Sequence, residues 1–202
     1  PELAAKLDVL LFKPDKMTLE WRALDLAATR AGLAPQKLLA RIGALAGPED
    51  YFLRRFAFEL FPGGLGFPEV APVSAPQGLP AASAPAFSID DHETTEIDDA
   101  FSVERLPGGR LRVGVHIAAP ALFFGRDHAL EAIARERLST VYFPGGKITM
   151  LPEPAIVEAT LAEGREVAAA SLYLEVDPDT LAILGVESRF ERVPIATNLR
   201  IA

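Results

Sequence analysis

The chain has 202 residues, no cysteine and a formal net charge of −8. That length can bury a real core in one to two domains, and the lack of cysteine excludes disulfides and thiolate metal sites. No apolar run approaches the ~18 residues needed to cross a bilayer. The N-terminal PELAAKLDVLLFKPDK lacks the small-residue cleavage site of a signal peptide, so a cytoplasmic location is the simplest reading. A chain that opens on Pro rather than Met points to a processed or truncated product. Residues 1–70 balance nine basic against nine acidic side chains, whereas residues 71–202 hold eleven basic and nineteen acidic. Phosphate contacts need Lys and Arg, so this excess argues against nucleic-acid binding unless the acids hold metal ions that reverse the local field.

Residues 1–61 read as helical. MTLEWRALDLAATRAGL repeats apolar residues at helical spacing, with Thr18 as N-cap and Gly32 as the stop. LAPQKLLARIGALAG carries Pro35 at a first-turn position and Gly47 at its end. PEDYFLRRFAFELFP opens on Pro48 and closes on Pro62. Three short helices joined by tight turns suit a helix-turn-helix or winged-helix module; the plainer reading is a small helical bundle that only packs against a neighbour, since no basic helix face stands out. Residues 62–87 then hold six prolines and four glycines, which no helix or central strand sustains. The domain boundary therefore falls in a linker or extended wrap, set at 62–84.

Beyond that boundary the pattern turns to strands. AFSVER and RLRVGVHIAA alternate around the turn signal LPGG and read as a hairpin. DHALEAIARERL is an amphipathic helix with Asp127 as its expected cap. STVYFPGGKITML reads as a strand pair about Pro144-Gly145-Gly146. AAASLYLEVDPDTLAILGVESRFERV reads as two long strands turned at Asp177-Pro178-Asp179. The zone is α+β and mostly antiparallel.

Within it, SIDDHETTEIDDAFSV places six carboxylates (Asp90, Asp91, Glu93, Glu96, Asp98 and Asp99) in ten residues with no Lys or Arg among them. Like charges repel, raise pKa values and cost stability, so solvent or a cation must offset them. A solvated acidic loop is one reading. A calcium loop fails, because counting from Asp90 puts His92, Thr94 and Thr95 where two oxygen ligands and a Gly belong. The third reading is a catalytic cluster for hard cations at a bend, its backbone fixed by Ile89, Ile97, Ala100, Phe101 and Val103.

FSIDDHETTEIDDAFSV, LRVGVHIAAPALFF and RLSTVYFPGGKITMLPE, in this order and at these separations, resemble the catalytic domain of the ribonuclease II family. The resemblance spans about residues 85–202 and is carried by three ordered motifs. It implies a processive, hydrolytic 3′-to-5′ exoribonuclease acting on single-stranded RNA. TTEIDDA and YFLRRFAFELFP further resemble the branch whose N-terminal module is a winged helix. The expected fold is therefore α+β: a winged-helix-like domain over 1–61, a linker over 62–84, and the N-terminal part of the catalytic (RNB) domain over 85–202. In the family this domain continues further, supplies an arginine and another aromatic, and is followed by an RNA-gripping barrel domain. A C-terminal remainder of the same protein is thus an expected partner.

The family's four acidic positions fall on Asp90, Glu96, Asp98 and Asp99, all expected to be catalytic and to bind metal. The second is usually Asp; Glu96 is one methylene longer, which blurs the ligand set there. Asp91 and Glu93 match no ligand position and read as solvated. Two divalent ions, Mg²⁺ or alternatively Mn²⁺, would activate a water and steady the leaving 3′-oxygen. Asp90 and Asp99 are the expected principal ligands. Asp98 is the residue most critical for activating water or holding the second ion, which Glu96 supports. The family's base-stacking aromatic falls on Tyr142, which strand propensity alone would bury as a core residue. His116 in VGVHIAA reads as structural, and Arg135 and Arg137 as helix C-terminal cations.

Overall fold

The computed structural model describes residues 6–201. The first five residues and Ala202, at the outer ends of the expected domains 1–61 and 85–202, lie outside the described residues. The chain divides into two compact units, meeting between Phe67 and Pro68.

The described residues of the first unit form four helices: α1 (Leu7–Phe12), α2 (Leu19–Ala31), α3 (Pro35–Arg41) and α4 (Pro48–Leu60). The Thr18 hydroxyl caps α2 by accepting from Trp21 N at 3.4 Å, and Gly32 ends it at φ 65°, in the left-handed region open to glycine. Leu7, Leu10, Leu24, Leu39 and Leu45 form the buried core of the unit. Among the described residues the helix–turn–helix of α2 and α3 is present. No strand occurs among the described residues of this unit, so the hairpin that would form a wing is not found among them. The extra helix, α1, spans only LDVLLF, too short for periodicity to announce it.

The second unit is built on a closed barrel of β1 (Ala86–Asp91), β2 (Asp99–Arg105), β3 (Leu111–Ala118), β6 (Glu166–Val176) and β7 (Ile183–Ile201), hydrogen-bonded in that order. Its five neighbouring pairs are of two kinds: β1–β2, β2–β3, β3–β6 and β6–β7 are antiparallel, and β7 closes on β1 in parallel. A separate hairpin, β4 (Val141–Phe143) with β5 (Gly146–Ile148), lies between helices α5 (Ala129–Arg137) and α6 (Glu153–Ala159). The α+β, mostly antiparallel expectation is met. The cap of α5 is His128, whose Nδ1 accepts from Leu130 N at 3.1 Å; Asp127 does not serve. The chain from Pro68 onward is no free linker. Ala82 N donates to Arg192 O and Arg192 N to Pro80 O, both at 2.8 Å, and Val73, Leu79 and Ala82 pack against the barrel core.

Alternation gives the barrel a mixed interior. Ala86, Ala100, Val167, Val193 and Ile195 make an apolar layer. The interior also holds buried polar groups. His116 is fully buried between Ser171 Oγ at 2.8 Å and Ser102 Oγ at 2.9 Å. Glu191, equally buried, accepts from Tyr173 OH at 2.5 Å and from Arg189 Nε at 2.7 Å. Gly114 is required here, since a Cβ would collide with Ser102 Oγ and the His116 ring. His116 is structural, as its strand setting implied.

Candidate catalytic site

The acidic segment joins the end of β1 to the start of β2. Its turn forms where Thr94 N donates to Asp91 O at 3.0 Å, and Arg200 on β7 donates to the carbonyls of Asp91 and Thr94, both at 3.0 Å. Buried Ile97 anchors the middle. Its N–H donates to Thr160 Oγ1 at 2.7 Å, and its carbonyl accepts from Leu161 N at 2.9 Å. Ala118 N donates to Asp98 O at 2.8 Å. Ile97 and Ala100 therefore clamp the backbone as expected, whereas Ile89 and Val103 are exposed and do not. The backbone of a strongly charged loop is thus fixed from three other segments, by the Arg200 guanidinium on β7 and by neutral groups of Thr160, Leu161 and Ala118.

Asp90 lies on β1 and Asp99 opens β2. Asp90 Oδ2 accepts from Ser88 Oγ at 2.5 Å, and Ser88 Oγ in turn accepts from Asn198 Nδ2 at 2.9 Å, so β7 orients the carboxylate through one hydroxyl. Asp98 is pushed above the usual carboxylate range, first by partial loss of water, then by the negative charges of Glu96 and Asp99, with Asp90 adding to them. Lys147 alone opposes this. The other three sequence-predicted acids therefore lie within electrostatic reach of Asp98. Glu96 and Asp98 also line one cavity with Thr140, Met150 and Thr160. Asp91 and Glu93 are exposed, as solvated side chains should be.

Tyr142 is 68% exposed, so burial as a strand core residue is excluded. It borders an open groove whose other wall is the acidic loop from Asp91 to Glu96. Of the four predicted acids Glu96 lines this groove with Tyr142, and it also lines the cavity that Asp98 borders. Arg135 pairs with Glu131 on its own helix, and Arg137 donates to Thr149 O at 2.9 Å.

Sequence reading missed Lys147. Its ammonium pairs with Glu96 and donates to Thr95 Oγ1 at 3.0 Å. The signal was present: a tight turn at Pro144-Gly145 makes Tyr142 and Lys147 direct cross-strand partners. Ser88 and Asn198 were also missed, because their role depends on strands 110 residues apart meeting in parallel.

The donors are all oxygen, which suits a hard cation such as Mg²⁺ or Mn²⁺, and the unrelieved repulsion at Asp98 is of the kind a cation removes. Among the described residues, however, no three His, Asp or Glu side chains are arranged to close on a single ion. Glu96 is turned to Lys147 and Asp90 to Ser88.

The second unit thus combines a closed barrel, an acidic loop between its first two strands, and a separate hairpin that carries an exposed tyrosine. Residues 81–196 match the RNB domain, and the chain belongs to that family. It is 33% identical over 150 residues to an uncharacterized ribonuclease of Synechocystis, covering 70% of this chain and 22% of that protein. It is 30% identical over 118 residues to exoribonuclease 2 of Vibrio cholerae, covering 58% of this chain and 17% of the relative. Among solved structures, yeast Ssd1, described as a pseudonuclease, superposes with a TM-score of 0.59 at 21% identity, over 66% of this chain and 17% of that one. The chain thus spans about a fifth of the length of the curated relatives it matches.

Proposed function

We propose that this chain supplies the acidic side of the active site of a hydrolytic 3′-to-5′ exoribonuclease, releasing nucleoside 5′-monophosphates from single-stranded RNA. The observation that carries the reading is one acidic segment in which Asp98 is held above the usual carboxylate range by partial burial and its acidic neighbours, while residues 91–96 face an exposed aromatic across one groove. Asp90 and Asp99 would be the principal holders of Mg²⁺ or Mn²⁺. Asp98 would orient the attacking water or hold a second ion, with Glu96 in support. Two such ions would lower the pKa of the attacking water and stabilise the leaving 3′-oxygen. Tyr142 would stack on the 3′-terminal base, a contact tolerant of sequence. A C-terminal remainder of the same protein belongs to this reading. Outward-facing Val103, Ile117, Leu172, Val186 and Phe190 are exposed, and an apolar strand face of that kind favours a covering segment.

A non-catalytic RNA- or protein-binding role is the second reading, favoured by the likeness to a pseudonuclease. A binding role has no physical use for a repulsive acidic cluster, which supports catalysis instead. The test is decay of end-labelled single-stranded RNA by the full-length protein with Mg²⁺, and by its Asp98→Asn variant. Monophosphate release by the parent and none by the variant is expected; an inert parent would leave the binding role.

A further inference from the structure

The groove beside Tyr142 is lined by three carboxylates (Asp91, Glu93 and Glu96), and among its lining residues one Lys or Arg occurs, Lys147. A lining of that charge repels a phosphate chain. Yet the side chain opposite Lys147 on the hairpin is Tyr142, and cross-strand partners project from the same face with Cβ atoms roughly 4.5–5.5 Å apart. A nucleotide stacked on that ring therefore brings its backbone to the ammonium.

Resting on the exoribonuclease reading, we propose that Lys147 is a substrate-binding residue which contacts the RNA backbone phosphate next to the base stacked on Tyr142. Glu96 holds the ammonium in place while RNA is absent and gives it up when RNA arrives. Three observations support the exchange. The Lys147 side chain keeps 29% exposure while Glu96 keeps 11%, so the cation is the accessible member of the pair. An ammonium has three donors, and Glu96 and Thr95 account for two. The extra methylene of Glu96, where the resemblance expects Asp, lengthens the arm that meets the hairpin. The pair also keeps the RNA-free groove from carrying all three negative charges unopposed.

Exchanging a carboxylate for a phosphate releases few counterions, so the contact is read where Glu96 has been neutralised. Binding of a fluorescent single-stranded oligoribonucleotide to the full-length protein is measured against KCl in EDTA, which needs no turnover. Glu96→Gln should tighten binding. Adding Lys147→Met should undo that gain and reduce the slope of log K against log salt by about 0.7, the value for one phosphate on a single strand. Lys147→Arg in the same background should keep the slope. Thermal melts confirm that each variant is folded. An unchanged slope in the Met variant, with the parent still binding RNA, overturns the role of Lys147 and leaves the exoribonuclease reading standing. A folded parent that binds no RNA overturns both.

Discussion

Thr160 Oγ1 accepts from Ile97 N at 2.7 Å and donates back to Ile97 O at 3.3 Å, so one hydroxyl serves both backbone groups of the residue between Glu96 and Asp98. Thr160→Val keeps the shape and leaves that amide unpaired, at a cost of about 1–3 kcal/mol. The melting temperature should fall, and turnover should fall with it because both flanking acids lose their anchor. Thr160→Ser should restore most of each. Turnover at the parental rate in a destabilised Val variant would show that the anchor serves stability alone.

Asp98→Asn should separate chemistry from stability. The folded-state pKa of Asp98 is raised, by burial first and by Glu96 and Asp99 next. The folded chain therefore binds this proton more tightly than the unfolded one. That contribution is fully present below the ordinary Asp value of 3.8 and is lost as pH rises through the folded value. At neutral pH the charge is a liability, so Asn should raise the melting temperature while abolishing hydrolysis. A lower melting temperature at pH 7 would contradict the repulsion.

His116 shifts the other way, its pKa lowered chiefly by burial, against an opposing pull from Glu191. The stability it contributes is present above the ordinary His value of 6.5 and is lost as pH falls through the lower folded value. Denaturation midpoints should decline as pH falls from 6.5 toward that lower value and level off beneath it. His116→Asn should be less stable at pH 7 yet show a flatter decline. Parallel pH curves for the two proteins would remove His116 as a cause.

Tyr142→Ala should leave the fold almost untouched, since the ring is mostly exposed. Loss of base stacking is worth about 1–3 kcal/mol, so grip on the RNA 3′ end should weaken and the length of the final product should change. Gel analysis of limit digests reads this directly. An unaltered limit product would exclude Tyr142 as the stacking platform.

Mn²⁺ or Mg²⁺ binding, followed calorimetrically, should weaken in Asp90→Asn and in Asp99→Asn. A weaker loss is expected for Ser88→Ala, which frees Asp90 from its relay to Asn198. Parental affinity in both Asn variants would leave the acidic segment a solvated loop.

Local chemistry was legible in the sequence wherever neighbours along the chain determine it. Thr18, Gly32, Pro35 and Pro48 mark helix ends through capping and φ restriction, and all four act as read. The turns at LPGG, PGG and DPD set the hairpins, and the six crowded acids marked a segment whose repulsion solvent or a cation must offset. Only the tertiary structure could close the barrel, because the parallel pairing of β1 with β7 joins residues 110 apart and no local pattern encodes it. That closure brings Asn198 to Ser88 and Arg200 to the acidic turn. It was also the fold that exposed Tyr142, which propensity would have buried, and that set Lys147 against Glu96. Propensity registers what a residue type prefers on a pleated surface, whereas exposure and charge pairing depend on which segments arrive opposite it.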